Sequence, residues 1–287
     1  MLEELLEFGF DAVELGHGIR VSLMPGILKM AEAGRVRFSS LHNFCPLPVE
    51  ITKASPDCLQ FSSPRMSERR RAVRQTRQTI DYAAQLGARF VVLHLGRVMM
   101  PPVTESLVEL AAKGRHLAPE YAALKWKAVQ RREAEAPPYL ERVHECLREI
   151  AAYAGEKGVK LGIEGRQAYE EIPTEREATA LLEELGPETV GYWHDFGHIQ
   201  IKANLGFLDH DRWLAAVAPR LLGAHLHDVL WPGRDHMAPF TGGCVDYNTL
   251  IPLLPPGIPF IWEMNPRRTR EEIATSLALW RERFITA

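Results

Sequence analysis

The chain has 287 residues, of which 46% are hydrophobic and 25% are charged, as in ordinary globular proteins. Its formal net charge of −3 argues against nucleic acid as the main partner, and no apolar run approaches the roughly 20 residues of a membrane span. The chain starts with acidic residues where a secretion signal has basic ones, and its cysteines show no CxxC pairing. These features predict a reduced, cytoplasmic protein.

Short apolar runs alternate with amphipathic, helix-like stretches along the chain. The predicted strands are 10–16, 36–44, 89–96, 159–165, 190–198, 221–229 and 258–265. Two of the helical patterns between them, 67–87 and 137–158, end at glycine, a common helix stop. A strand after each helix indicates βα units and a parallel sheet.

This alternation predicts an α/β fold, a (β/α)8 barrel that forms one domain over residues 1–287. The count reaches only seven strands, and the first element of the chain is the helix LEELLEF. The missing strand would precede that helix. The sequence therefore predicts a chain that begins one strand late, and an unusual closure of the barrel is the alternative.

One connection is far longer than the others. Residues 97–136 form a charged, helix-like insertion that follows His94, at the C-terminal end of a predicted strand. Catalytic residues of such barrels lie at that end of the strands, and long connections there are commonly lids. We therefore expect a helical lid whose lysines and arginines form a solvated face.

Four apolar runs end on a residue that can bind a metal ion. KLGIE, GYWHD, LLGAH and PFIWE end at Glu164, Asp195, His225 and Glu263. The C-terminal ends of parallel barrel strands meet at one mouth, so these side chains can share one divalent cation that accepts oxygen and nitrogen ligands. A salt bridge at a strand end explains any one of them alone, but it explains four such endings poorly.

Further histidines lie on strand ends or in the loops just after them. They are His42, His94, His198 and His236. These imidazoles form a second layer that reinforces the first set of proposed ligands.

Two other histidines are neighbours of the proposed ligands. His194 precedes Asp195, and His227 follows His225 by two residues. Both are expected to be buried core residues. The residues alone, however, leave His225 and His227 open as the imidazole ligand.

The segments GFDAVELG, SSLH, VVLH, GIEG, HDFGH, HLHD and FIWE together resemble the xylose isomerase-like TIM barrels. This superfamily includes sugar and sugar phosphate isomerases and epimerases, inositol-catabolism dehydratases and isomerases, and endonuclease IV. The resemblance covers the chain except for residues 97–136 and the missing first strand. The order and spacing of the motifs are specific for the superfamily but not for one member.

The resemblance implies a role for each residue at the mouth. The metal ligands would be Glu164, Asp195, His225 and Glu263. Glu164 and Glu263 would also act as base and acid in proton transfer. The substrate-binding residues would be His42, His94, His198, Arg234 and His236.

The implied reaction is isomerisation or epimerisation of a sugar or polyol through an enediolate, with one Mn, Mg, Co or Zn ion. One alternative is a dehydratase or lyase that acts on an inositol-like or keto-acid substrate. Another is a zinc phosphodiesterase of the endonuclease IV type, or a binding relative without activity. Second and third zinc ions would favour the phosphodiesterase, but Asp235 and His236 are adjacent, unlike the Asp-x-His pair of that family. Barrels of this type often form homo-oligomers, although no segment identifies an interface.

Overall fold

A computed structural model of the chain describes residues 2–285. The helices are α1 (Leu2–Glu7), α2 (Met24–Glu32), α3 (Met66–Leu86), α4 (Val103–Ala112), α5 (Pro119–Glu135), α6 (Pro137–Lys157), α7 (Glu175–Glu184), α8 (Phe196–Asn204), α9 (His210–Val217), α10 (Tyr247–Leu250) and α11 (Arg270–Phe284). The strands are β1 (Val13–Leu15), β2 (Phe38–His42), β3 (Phe90–Leu93), β4 (Lys160–Glu164), β5 (Val190–Asp195), β6 (Leu221–Leu226), β7 (Asp228–Leu230), β8 (Arg234–Met237) and β9 (Phe260–Trp262). Among the helices of the described residues, none combines the length and apolar character that a membrane crossing requires.

The residues group into two compact units. The first unit runs to Met100 and includes Arg131–Glu164 and Glu171–Trp193. The second unit consists of Pro101–Gln130, Gly165–Glu170 and the chain from His194 onward. Strand β5 therefore begins in the first unit, and its last two residues belong to the second.

The first unit contains strands β1 to β5, which pair in chain order and are all parallel. Val91, Val92 and Leu93 of β3 are consecutive and fully buried. Consecutive buried residues place apolar groups on both faces of a strand, which is typical of parallel sheets covered by helices on each side. The continuous apolar runs of the sequence therefore form the core of this unit.

Both helices that the sequence predicts to end at glycine do so. Gly87 follows α3 with φ 67°, and Gly158 follows α6 with φ 68°. This left-handed backbone costs an L-residue about 1–2 kcal/mol but costs glycine little. The two glycines stop the helices shortly before β3 and β4 begin.

In the second unit, β6 pairs with β9 in parallel, with His225 opposite Ile261. The next two strands, β7 and β8, form an antiparallel hairpin with Asp228 opposite Met237. The prediction of a single strand over 221–229 is wrong, because β6 ends before His227 and the chain after His227 forms the first strand of the hairpin.

All seven predicted parallel strands form, each within its predicted range. The prediction for 190–198 is too long, because β5 ends at Asp195, whose side chain accepts the N–H of His198 and starts α8. Helix α1 precedes β1, as the sequence predicts. Within residues 2–285, no eighth strand joins the parallel pairs.

The insertion at 97–136 is helical, as predicted, and contains α4 and α5. Its α5 contacts the end of α8 within the second unit. The Tyr121 hydroxyl and Lys125 Nζ each donate to the Leu205 carbonyl at 3.0 Å. A helix leaves its last carbonyls without intrahelical partners, so the insertion satisfies an acceptor that α8 itself cannot.

The start of α4 is held by a carboxylate from a distant segment. Glu170 accepts the backbone N–H of Thr104 at 2.8 Å and its hydroxyl at 2.7 Å. Glu170 is buried, and a negative charge at a helix N-terminus is favourable. This cap ties the insertion to the loop that follows β4.

A histidine pair lies in the core of the second unit. His194 Nε2 and His210 Nε2 are 3.0 Å apart, and His210 Nδ1 lies 2.9 Å from Oε1 of Gln200. His194 is fully buried, as the sequence analysis expects. Burial lowers the pKa of His210 to about 3, so this ring is neutral at pH 7.

We expect His210 to make the free energy of unfolding depend on pH. In the unfolded chain an ordinary histidine gains a proton near pH 6.5, whereas folded His210 stays neutral down to about pH 3. Its stabilising contribution is therefore present above pH 6.5 and is lost as the pH falls. At pH 5 the loss amounts to about 2 kcal/mol relative to pH 8.

Urea unfolding at pH 8 and pH 5 measures this effect in the wild type and in His210→Asn. Asparagine keeps a donor toward Gln200 but does not titrate. The variant should lose less stability than the wild type between the two pH values. An equal loss in both proteins would contradict the assignment.

Candidate active site

Asp195 ends β5 and is the N-cap of α8. Its Oδ1 accepts the backbone N–H of His198 at 2.7 Å. Nε2 of His227 lies 2.9 Å from the same oxygen and 3.2 Å from Oδ2. The Asp195 side chain is fully buried, so these donors replace the water that a carboxylate needs.

The surroundings of Asp195 keep it ionised. Burial by itself raises the pKa of this carboxyl, but the nearby His198 and His227 outweigh burial, together with hydrogen bonds from His225 and His227. The pKa of Asp195 therefore lies well below its usual range. The ionised form is the one that binds a metal ion.

Two further proposed ligands lie beside Asp195 in the second unit. His225 Nδ1 lies 3.0 Å from Oε2 of Glu263 and 3.6 Å from Oδ2 of Asp195. One ligand atom from each of the three side chains lies within 4.8 Å of the others. Two carboxylates and an imidazole at these separations fit one divalent cation.

Glu263 is the most accessible of the three. It follows β9 directly, and its backbone N–H donates to the Leu226 carbonyl at 3.1 Å, which continues the pairing with β6. Its side chain is 29% exposed, whereas those of His225 and Asp195 are fully buried. Glu263 therefore combines a position beside the ligands with access to a molecule from solvent.

Glu164 ends β4 in the first unit and is 1% exposed. Its Oε2 lies 3.0 Å from Nε2 of His42 and 2.9 Å from Nε2 of His94. The structure thus brings together a predicted catalytic glutamate and two predicted substrate-binding histidines. His94 also lies 3.2 Å, through Nδ1, from Oδ1 of Asp57, a residue that the sequence analysis missed because it lies in an irregular segment.

Three histidines of the second unit form another group, with one nitrogen from each within 4.8 Å of the others: His198, His227 and His236. Both ring nitrogens of His227 are engaged, since Nδ1 accepts the backbone N–H of His236 at 2.9 Å and Nε2 faces Asp195. Of the two histidines that the sequence leaves open as the imidazole ligand, the geometry therefore favours His225.

The ring of His198 is oriented by the backbone. Its Nδ1 donates to the Gly165 carbonyl at 3.1 Å. In the neutral ring, Nε2 is then unprotonated and can accept a hydrogen bond or bind a cation. Both options suit its predicted contact with substrate.

The β7–β8 hairpin carries the remaining predicted site residues. His236 has φ 54°, with Nδ1 3.3 Å from Oδ2 of Asp235 and Nε2 3.9 Å from Oε1 of Glu263. Burial lowers the pKa of His236, but the hydrogen bonds that its ring donates to Asp235 and Glu263, and the charges of these carboxylates, outweigh burial and raise the pKa to about 10. Arg234 lies at the exposed end of the hairpin, opposite Leu230.

Comparisons with solved structures give the same fold. A D-tagatose 3-epimerase-like protein has a TM-score of 0.70 at 17% identity, over 99% of this chain and 92% of its own. The 3-keto-D-glucoside 4-epimerase of E. coli has a TM-score of 0.68 at 14% identity, over 98% and 92%. A D-psicose 3-epimerase has a TM-score of 0.64 at 16% identity, over 98% and 92%.

A search of curated proteins finds no match. The model of the family described as xylose isomerase-like TIM barrel, in contrast, matches residues 2–283. This range includes every strand and every proposed site residue. The chain therefore belongs to the xylose isomerase-like TIM barrel family.

Proposed function

We propose that this protein is a divalent-cation-dependent isomerase or epimerase of a sugar or polyol. The observation that carries the proposal is the convergence of Asp195, His225 and Glu263, each within one residue of the end of its strand. Support also comes from proteins of the same fold that are named as a D-tagatose 3-epimerase-like protein and a D-psicose 3-epimerase. A cation beside an accessible carboxylate suits proton transfer next to a carbonyl group.

Glu164 is our choice for the fourth ligand. It is the last residue of β4 and pairs with Trp193 of β5, which precedes Asp195 by two residues on the same strand. With Glu164 included, three carboxylates and one imidazole form a donor set that Mn, Mg, Co and Zn all accept.

When bound, the cation would polarise the carbonyl and hydroxyl oxygens of the substrate and lower the cost of the charge that develops as the neighbouring proton leaves. Glu164 and Glu263 act as the pair that removes this proton and returns it. His198 Nε2, with Arg234 and His236, holds the substrate hydroxyls. His42 and His94 orient Glu164 through its Oε2.

The insertion at 97–136 acts in this proposal as a lid that excludes water from the reacting carbon. The contact that supports this role is the cap between Glu170 and Thr104. Glu170 belongs to the loop that follows Glu164. The insertion is therefore bonded to the segment that comes directly after this proposed ligand.

A second candidate is a phosphodiesterase that uses more than one cation, and the surroundings of Glu164 favour it. His42 Nδ1 donates to the Asn43 carbonyl at 3.0 Å, yet its Nε2 lies 3.0 Å from Oε2 of Glu164. In the neutral ring that nitrogen is therefore unprotonated and can bind a cation. A cation shared by His42 and Glu164 would be a second metal ion.

We expect Glu164→Gln to abolish exchange between solvent deuterium and the proton next to the carbonyl of a ketose, because glutamine cannot accept that proton. The expected loss of rate is about 10²–10⁴-fold. Proton NMR in D₂O, with Mn²⁺ and a panel that includes D-tagatose and D-psicose, measures it. The matched control is Glu149→Gln on the α6 surface, where the carboxylate pairs with Arg77. Exchange that persists in the Glu164 variant would rule out this base.

Addition of Mn²⁺ to protein treated with a chelator should raise the free energy of unfolding, since the cation binds the folded site. At a free concentration 100 times the dissociation constant, the gain is about 2.7 kcal/mol. Asp195→Asn should lose most of this gain. Elemental analysis should find one tightly bound ion per chain, whereas three zinc ions would support the phosphodiesterase instead.

A further inference from the structure

We infer that His227 is a positioning residue, which fixes the orientation of the Asp195 carboxylate at the proposed cation site. This inference rests on the proposed cation site. The family match does not assign a role to His227, and the sequence pattern favours a plain core histidine. Its ring contacts assign it a more specific task.

The tautomer of His227 is fixed by its neighbours. The backbone N–H of His236 lies 2.9 Å from Nδ1. A backbone amide can only donate, so Nδ1 is unprotonated and the proton of the neutral ring is on Nε2. Nε2 then faces both carboxylate oxygens of Asp195, with Oδ1 at 2.9 Å and a hydrogen bond to Oδ2 at 3.2 Å.

This contact fixes the plane of the Asp195 carboxylate. Oδ1 also accepts the backbone N–H of His198 at 2.7 Å, so the carboxylate is held from two sides. Oδ2 lies on the side of the proposed ligand His225, at 3.6 Å from its Nδ1. Partners of this kind orient metal-binding carboxylates and strengthen the binding of the metal ion.

The chain around His227 is shaped to hold the ring in place. The ring is fully buried and stacks on the His236 ring, with centroids 4.2 Å apart and an angle of 20° between the planes. A Cβ atom on Gly197 would lie 1.9 Å from Cε1 of His227 and 2.2 Å from Nδ1. Only glycine at position 197 leaves room for the ring.

The backbone of His236 is also set for this contact. Its φ of 54° lies in the left-handed region, which is unfavourable for a residue other than glycine. Strain of this kind persists where the surroundings impose it. Here the strained residue supplies the N–H that selects the tautomer of His227.

The test is the affinity of the purified protein for Mn²⁺, measured by calorimetry after removal of bound metal. His227→Leu should weaken binding by about 10–100-fold. His227→Gln should retain most of the affinity, since its amide N–H can donate to the Asp195 carboxylate. Gly197→Ala should weaken binding although both side chains of the hydrogen bond are present, because the new methyl group displaces the ring.

His144→Gln is the matched control, because His144 pairs with Glu184 on the surface, at 2.6 Å, and lies outside the site. Its affinity should equal that of the wild type. The visible absorption spectrum of bound Co²⁺ gives a second measurement, since a reoriented carboxylate changes the geometry at the metal. A residue that merely fills the core would change the unfolding midpoint but not this spectrum.

The outcomes separate this inference from the proposed function. Wild-type protein that binds no divalent cation overturns both. A wild type that binds Mn²⁺ while folded His227→Leu and Gly197→Ala bind it equally well overturns the role of His227 alone. Should His227→Leu fail to fold, His227→Gln and Gly197→Ala decide, and unchanged affinity in Gly197→Ala overturns the inference.

Discussion

The cost of burying ionised carboxylates governs this structure. Asp195 and Glu164 end neighbouring strands and are almost fully buried, and an unpaired carboxylate in that position costs several kcal/mol. Each is therefore surrounded by donors. A backbone N–H at the start of α8 and the ring of His227 contact Asp195. The rings of His42 and His94 contact Glu164. The imidazoles that contact these carboxylates also lower the free-energy cost of burying them in the folded chain.

Helix α8 connects several features of the second unit. Asp195 caps its first turn, and the carbonyl of its C-cap residue, Leu205, accepts hydrogen bonds from Tyr121 and Lys125 of the insertion. The ring of His227 packs against the same first turn, at Gly197. One short helix thus orients a proposed ligand at one end and supports the proposed lid at the other.

Much of this fold follows from local sequence patterns, because parallel strands buried on both faces are continuous apolar runs. All seven such strands were predictable, and so was the presence of polar residues at or next to the ends of most of them. The strand boundaries after Asp195 and at His227 were not, since they depend on side-chain hydrogen bonds that no apolar pattern reveals. The role of His227 depends on a backbone N–H of His236, and Asp57 meets His94 from an irregular segment. Contacts of this kind leave no periodic signal.

The packing of Gly197 against His227 also restricts how this chain can change in evolution. A side chain can appear at position 197 only after the ring at position 227 has been lost, because the two cannot occupy the same space. The order of substitution is therefore fixed. Relatives with alanine at the first position should carry a smaller residue at the second, and they should supply a different donor to the carboxylate. The residues at positions 197 and 227 should therefore change together, although they lie on separate elements of the chain.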